Sequence, residues 1–91
     1  MKNINLVIAD DEYFIRARLA KIIEEKRKNI NIISLCEDGR DIIKLLSLSN
    51  ADLLLMDIKM IEVDGLEVAK YIYENKINTK IILLRDRKSV V

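Results

Sequence analysis

The sequence predicts an α/β domain built on a doubly wound parallel sheet. Three observations predict it. Short, β-branched apolar runs recur four times along the chain, amphipathic stretches with helical spacing lie between them, and the links are only a few residues long. A run that is apolar at nearly every position suits a strand buried on both faces, and a parallel sheet flanked by helices provides that burial.

The first run, Ile4-Asn5-Leu6-Val7-Ile8-Ala9, reads as the first strand. Asp10-Asp11-Glu12 follow, where negative charge suits the positive end of a helix dipole. Ile15, Leu19, Ile22 and Ile23 then share one helical face, while Arg16, Lys21, Glu24, Glu25 and Arg27 stay off it. The second strand is the run from Ile30 to Cys36. Asp38-Gly39 opens a second helix with Ile42, Ile43, Leu45 and Leu46 on its apolar side, and Ser47-Leu48-Ser49-Asn50 is its polar exit. Leu53-Leu54-Leu55-Met56 forms the third strand and ends at Asp57. Asp64-Gly65-Leu66-Glu67 has the spacing of a capping box and starts a third helix lined by Leu66, Val68, Ala69, Ile72 and Tyr73. Lys80-Ile81-Ile82-Leu83-Leu84 is the fourth strand. The order is β-α-β-α-β-α-β, with no repeat and no low-complexity segment.

Composition removes several function classes. Lysine plus arginine is 16 and aspartate plus glutamate is 15, a net charge of +1, which argues against a nucleic-acid arm or a polybasic membrane anchor. Histidine is absent, so His-ligated metals, His general bases and a phosphohistidine on this chain are excluded. The single cysteine, Cys36, cannot form an internal disulfide and lies in an apolar run, which points to core packing in a reducing cytoplasm. No apolar stretch approaches the ~20 residues that span a bilayer, and the early acids do not suit a signal peptide.

Right-handed crossovers put the C-terminal ends of the strands along one edge, where open α/β sheets hold their sites. Asp10 and Asp11 follow the first strand and Asp57 ends the third, so all three arrive at that edge. Taken singly, each acid reads as a helix cap or a chain turn. Together they make a constellation of carboxylates that repel one another in a partly desolvated site. A hard divalent cation relieves that repulsion, and an oxygen-only set with few protein ligands suits Mg²⁺. A carboxylate beside such an ion can also attack phosphorus and form an acyl phosphate.

Three segments, Val7-Ile8-Ala9-Asp10-Asp11-Glu12, Leu54-Leu55-Met56-Asp57-Ile58-Lys59-Met60 and Asp64-Gly65-Leu66-Glu67, resemble at these spacings the receiver domain of bacterial two-component response regulators. The resemblance runs from about residue 4 to residue 84. It implies a flavodoxin-like sheet of order 2-1-3-4-5, of which this sequence supplies four strands. It implies Asp57 as phosphoacceptor, Asp11 as a direct Mg²⁺ ligand alongside Asp57, Asp10 acting largely through water, and the Lys59 backbone carbonyl as a further ligand. The implied donor is a phosphohistidine on a sensor histidine kinase, which meets the first helix near Phe14 and Ile15. A receiver of this kind dephosphorylates itself slowly and is not an enzyme toward other substrates. A receiver homodimer is a further expected partner. DNA is expected to be contacted only through a transcription-regulating output domain absent from these residues, and no membrane is involved.

The sequence also departs from that pattern. Ile61 stands where the family usually has a proline that pre-sets the turn, which is expected to loosen the loop. Arg85 stands about where a Ser or Thr closes the fourth strand, and the lysine and aromatic residue of a fifth strand have no counterpart; Lys88 lies too near the fourth strand to serve. Residues 1–84 are therefore expected to form a partial receiver and residues 85–91 a non-native tail, because residues 86–91 resemble the translation of a common sequencing adapter. The competing readings are a Mg²⁺-dependent phosphohydrolase with an aspartyl nucleophile and an inactive fragment. The first needs a general acid two residues after the nucleophile, and Lys59 occupies that position. A nucleotide-binding domain is weaker, since no glycine-rich loop follows the first strand.

Overall fold

A computed structural model describes residues 3–84. The elements are β1 (Ile4–Ala9), α1 (Tyr13–Lys26), β2 (Ile30–Cys36), α2 (Gly39–Leu46), β3 (Leu53–Asp57), α3 (Gly65–Glu74) and β4 (Lys80–Leu84). All strand pairs are parallel and the order is β2-β1-β3-β4. This is the expected flavodoxin-like arrangement for four strands. The expected tail, with Arg85 and Lys88, lies outside the described residues.

Two core layers hold the sheet. Val7 and Ala9 of β1 and Leu54 and Met56 of β3 pack with Ile42 and Leu46 of α2 and Val68 and Ile72 of α3. On the other face Leu6 and Ile8 pack with Ala20 of α1, flanked by Leu19, Ile23, Ile30, Ile32, Leu53 and Leu55. The alternation along β1 thus sends successive residues to opposite faces, and each face finds an apolar helix.

The β1–β2 register slips between Leu6 and Val7, which pair with Ile32 and Ser34. Ile33 is the extra residue of this bulge, and one extra residue reverses which face the rest of the strand presents. Ile30 and Ile32 accordingly face the α1 layer, whereas Cys36 joins the α2 and α3 layer at 4% exposure. Cys36 is thus a core residue, and burial pushes its thiol pKa up.

Two helix faces differ from the pattern in the sequence. Ala20 is the buried residue of α1, and Ile22 is 41% exposed. In α3 the sheet side is Gly65, Val68 and Ile72, and Leu66 and Tyr73 stand in solvent. A helix lying on a sheet buries a stripe narrower than all of its apolar residues. The acids before α1 also lie outside it: Glu12 is the N-cap without a side-chain bond, and the first turn holds no acid.

α3 ends in a Schellman turn. Ile77 N–H donates to the Ile72 carbonyl at 3.0 Å and Lys76 N–H to the Tyr73 carbonyl at 3.3 Å. The turn requires a left-handed residue, and Lys76 supplies it at φ 53°. A Cβ there costs about 1 kcal/mol relative to glycine. Lys76→Gly is expected to raise stability by about 0.5–1 kcal/mol, read as a higher urea midpoint at unchanged slope. A lower midpoint would mean that the lysine side chain contributes more than its backbone strain costs.

Candidate functional site

The C-terminal ends of β1 and β3 lie side by side, since Ala9 pairs with Met56. The residues that follow therefore meet. One carboxylate oxygen from each of Asp10, Asp11 and Asp57 lies within 4.8 Å of the others. Asp10 and Asp57 are buried at 2% and 5% exposure, and Asp11 is half-buried. Lys59 sits two residues past β3 with its side chain exposed. The sequence-predicted acids are thus brought together.

The loop that carries Asp10 is tightly held. Its N–H donates to the Cys36 carbonyl at 3.0 Å, which extends the β1–β2 ladder by one residue. Its Oδ1 accepts from Glu12 N–H at 2.8 Å. Arg16 Nη1 donates to the Asp10 carbonyl at 2.7 Å, and the same guanidinium lies 5.7 Å from the centre of the Tyr13 ring. Arg16 thereby ties the first turn of α1 to the acid loop. In sequence it reads as a solvated arginine, because nothing in the helical pattern marks a bond back to residue 10.

Burial pushes the Asp10 carboxyl pKa above its ordinary value; the Glu12 N–H bond opposes this, and the charges of Asp11 and Glu12 add to it. A raised carboxyl pKa means that the native chain keeps its proton to higher pH than the unfolded chain, so stability falls as pH rises between the unfolded and folded values. Asp10→Asn keeps an oxygen for Glu12 N–H and removes the charge. It is expected to raise the melting temperature at neutral pH without divalent cation, and to change little near pH ~3, where the carboxyl is already protonated. An equal gain at both pH values would remove charge as the cause.

The segment after Asp57 is fixed at both ends. Gly65 N–H donates to the Ile58 carbonyl at 2.6 Å, and a Cβ on Gly65 would lie 2.8 Å from the Asp57 carbonyl oxygen. The start of α3 therefore rests directly on the backbone of Asp57, which only a glycine permits. Asp64 Oδ1 caps α3 by accepting from Glu67 N–H at 3.0 Å. Further along, Asp38 holds Glu62 and Val63. Ile61 is 77% exposed, yet the loop around it is pinned without a proline. The role of Asp38 is not visible in the sequence beyond its place before a helix, because its partners lie 24 and 25 residues away.

The family model of the response regulator receiver domain matches residues 6–90. The chain belongs to this family. Two curated relatives place the receiver in context. It is 32% identical over 81 residues to the response regulator UvrY of Escherichia coli K12 and 33% identical over 78 residues to the transcriptional regulatory protein PdtaR of Mycobacterium tuberculosis, covering 89% and 86% of this chain. The receiver spans 37% of the length of each relative. Among solved structures, the RcsB response regulator of Salmonella typhimurium superposes with a TM-score of 0.83 at 30% identity, over 93% of this chain and 44% of that one. The receiver domain of NarL from Mycobacterium tuberculosis, at 21% identity and a TM-score of 0.87 over 93% of this chain and 68% of that one, matches in fold.

Receiver domains bind Mg²⁺ through an acidic pocket, and response regulators are phosphorylated by histidine kinases. The donor set here fits such an ion: three carboxylates of the described residues converge, all oxygen ligands. No helix of the described residues is long and apolar enough to cross a membrane.

Proposed function

We propose that this receiver accepts a phosphoryl group on Asp57 from the phosphohistidine of a sensor histidine kinase, as one step of a phosphorelay that controls transcription. The observation that carries the reading is the convergence of Asp10, Asp11 and Asp57 within 4.8 Å at the C-terminal edge of the sheet. A carboxylate oxygen of Asp57 attacks phosphorus, the P–N bond to imidazole breaks, and its electron pair leaves on the ring nitrogen, which takes up a proton. Asp57 ends as an aspartyl phosphate. Asp10, Asp11, Asp57 and the backbone carbonyl of Lys59 would hold Mg²⁺. The ion would offset the negative charge that otherwise keeps a phosphoryl group away from three carboxylates. The rest is positioning: β1 and β3 fix the acids, Arg16 holds the Asp10 loop, and Gly65 lets α3 back onto Asp57.

The partners follow from this reading. The kinase would meet the start of α1 near Phe14 and Ile15, a reading that the exposed Tyr13–Phe14 pair, edge to face at 5.5 Å, supports. DNA would be contacted through an output domain outside these residues, and a receiver homodimer would bring two such domains together. Self-dephosphorylation would be slow and the cellular setting cytoplasmic.

Incubation with acetyl phosphate and Mg²⁺ tests the proposal. A mass increase of one phosphoryl group, removed by hydroxylamine and suppressed by chelation of the metal, is the expected result. No adduct, or one indifferent to chelation, would overturn it.

A further inference from the structure

The β2–α2 turn and the loop after Asp57 are joined by a set of bonds that the phosphoacceptor reading does not use. Asp38 ends the turn as the N-cap of α2, accepting from Arg40 N–H at 3.1 Å through Oδ2. Its two oxygens also reach across: Oδ1 accepts from Glu62 N–H at 2.8 Å and Oδ2 from Val63 N–H at 3.0 Å. Gly39 N–H donates to the Val63 carbonyl at 3.0 Å. Arg40 and Glu62 form an exposed ion pair. Three consecutive residues therefore grip two consecutive residues of the opposite loop.

A helix cap needs one acceptor. Asp38 takes two further amides, and both belong to the stretch that connects Asp57 to α3. Burial would raise its carboxyl pKa, but the N–H groups of Glu62, Arg40 and Val63 and the Arg40 charge outweigh this, so the pKa lies below its ordinary value. The opposite end of the stretch is tied by Gly65 to Ile58. Lys59 lies between these two anchors, and Met60 is buried in the core beside it at 8% exposure.

We infer that Asp38 is a positioning residue for the phosphoacceptor loop, holding residues 58–64 in the shape that places the Lys59 carbonyl. The inference rests on the reading of Asp57 as phosphoacceptor and of the Lys59 carbonyl as a metal ligand. A bare cap would stabilise α2 and leave metal affinity alone. A clip sets the affinity through the loop, as partners one bond removed from a metal ligand do.

Asp38→Ser separates the two roles. Serine caps a helix well but is too short to bridge to two amides of another loop. In the 91-residue chain, adduct formation with acetyl phosphate is followed as Mg²⁺ is varied, and thermal melting is followed in parallel. The clip predicts that the Mg²⁺ half-saturation rises roughly tenfold, while the rate at saturating Mg²⁺ approaches that of the unaltered chain. An unchanged half-saturation overturns the inference, whatever the melting temperature does. Amide hydrogen exchange of the unaltered chain gives a second reading independent of any variant. Glu62 and Val63 are expected to be protected despite their loop position, and exchange at the rate of open peptide would overturn the clip. If the unaltered chain forms no adduct, the phosphoacceptor reading fails instead, and the exchange result still decides whether the clip exists.

Discussion

Asp57→Asn is expected to abolish the phosphoryl adduct while the fold survives. The amide nearly matches the carboxylate in shape, so the buried site at the end of β3 keeps its packing, and the backbone pairing of residue 57 with Leu84 is untouched. What disappears is the nucleophile: an amide oxygen gives no stable acyl phosphate. The substitution also removes one of three converging negative charges, so the metal-free chain should melt no lower than the original. Intact mass after acetyl phosphate treatment, with a melting curve beside it, checks both halves. An adduct of undiminished stoichiometry would move the acceptor to another carboxylate, with Asp10 and Asp11 the nearest candidates.

The strands and the acid site were legible in the sequence for one reason. Each strand is a mostly apolar run, so the four runs, and the acids at the ends of β1 and β3, stand out against the amphipathic stretches between. The same property hid the bulge. In Ile30–Cys36 the residues other than Asn31 and Ser34 are apolar, so no strict alternation marks Ile33 as the extra residue or shows that Cys36 has changed faces. The helix faces were legible only coarsely. Leu66 and Tyr73 share the apolar side of α3 by spacing, but the sheet takes Val68 and Ile72 and leaves the other two in water.

The positioning residues were not legible, for a different reason. Arg16 and Asp38 work through backbone carbonyls and amides of distant segments, and a backbone partner leaves no residue type to look for. Asp10, Asp11 and Asp57 converge through their own side chains, so their identities announce the site. The proline absent at Ile61 belongs to the same distinction. A proline would stiffen that turn locally, whereas here hydrogen bonds from the β2–α2 turn hold the neighbouring residues.

Gly39→Ala should be among the most damaging small substitutions in the chain. Neither glycine has a positive φ, so both are there for close approach, and among the described residues the left-handed position is held by Lys76. A Cβ on Gly39 would lie 2.3 Å from the Val63 carbonyl oxygen and 2.8 Å from Val63 Cγ1 and Val68 Cγ2. The nearest atom is backbone and cannot rotate away. Moving it breaks the Gly39–Val63 bond, pulls on the Glu62 and Val63 amides held by Asp38, and lifts Val68 from the core. Overpacking of a tight contact and one lost hydrogen bond together cost about 2–4 kcal/mol. Alanine's better helix propensity returns at most ~1 kcal/mol, and less at the first residue of a helix. Set against a stability of about 5–15 kcal/mol for a domain of ordinary robustness, the loss is large enough to shift the urea midpoint far to the left at unchanged slope. A loss below about 1 kcal/mol would show that α2 can slide away from the loop without penalty. Asp38 could not then hold that loop in place, since its grip depends on the same close approach.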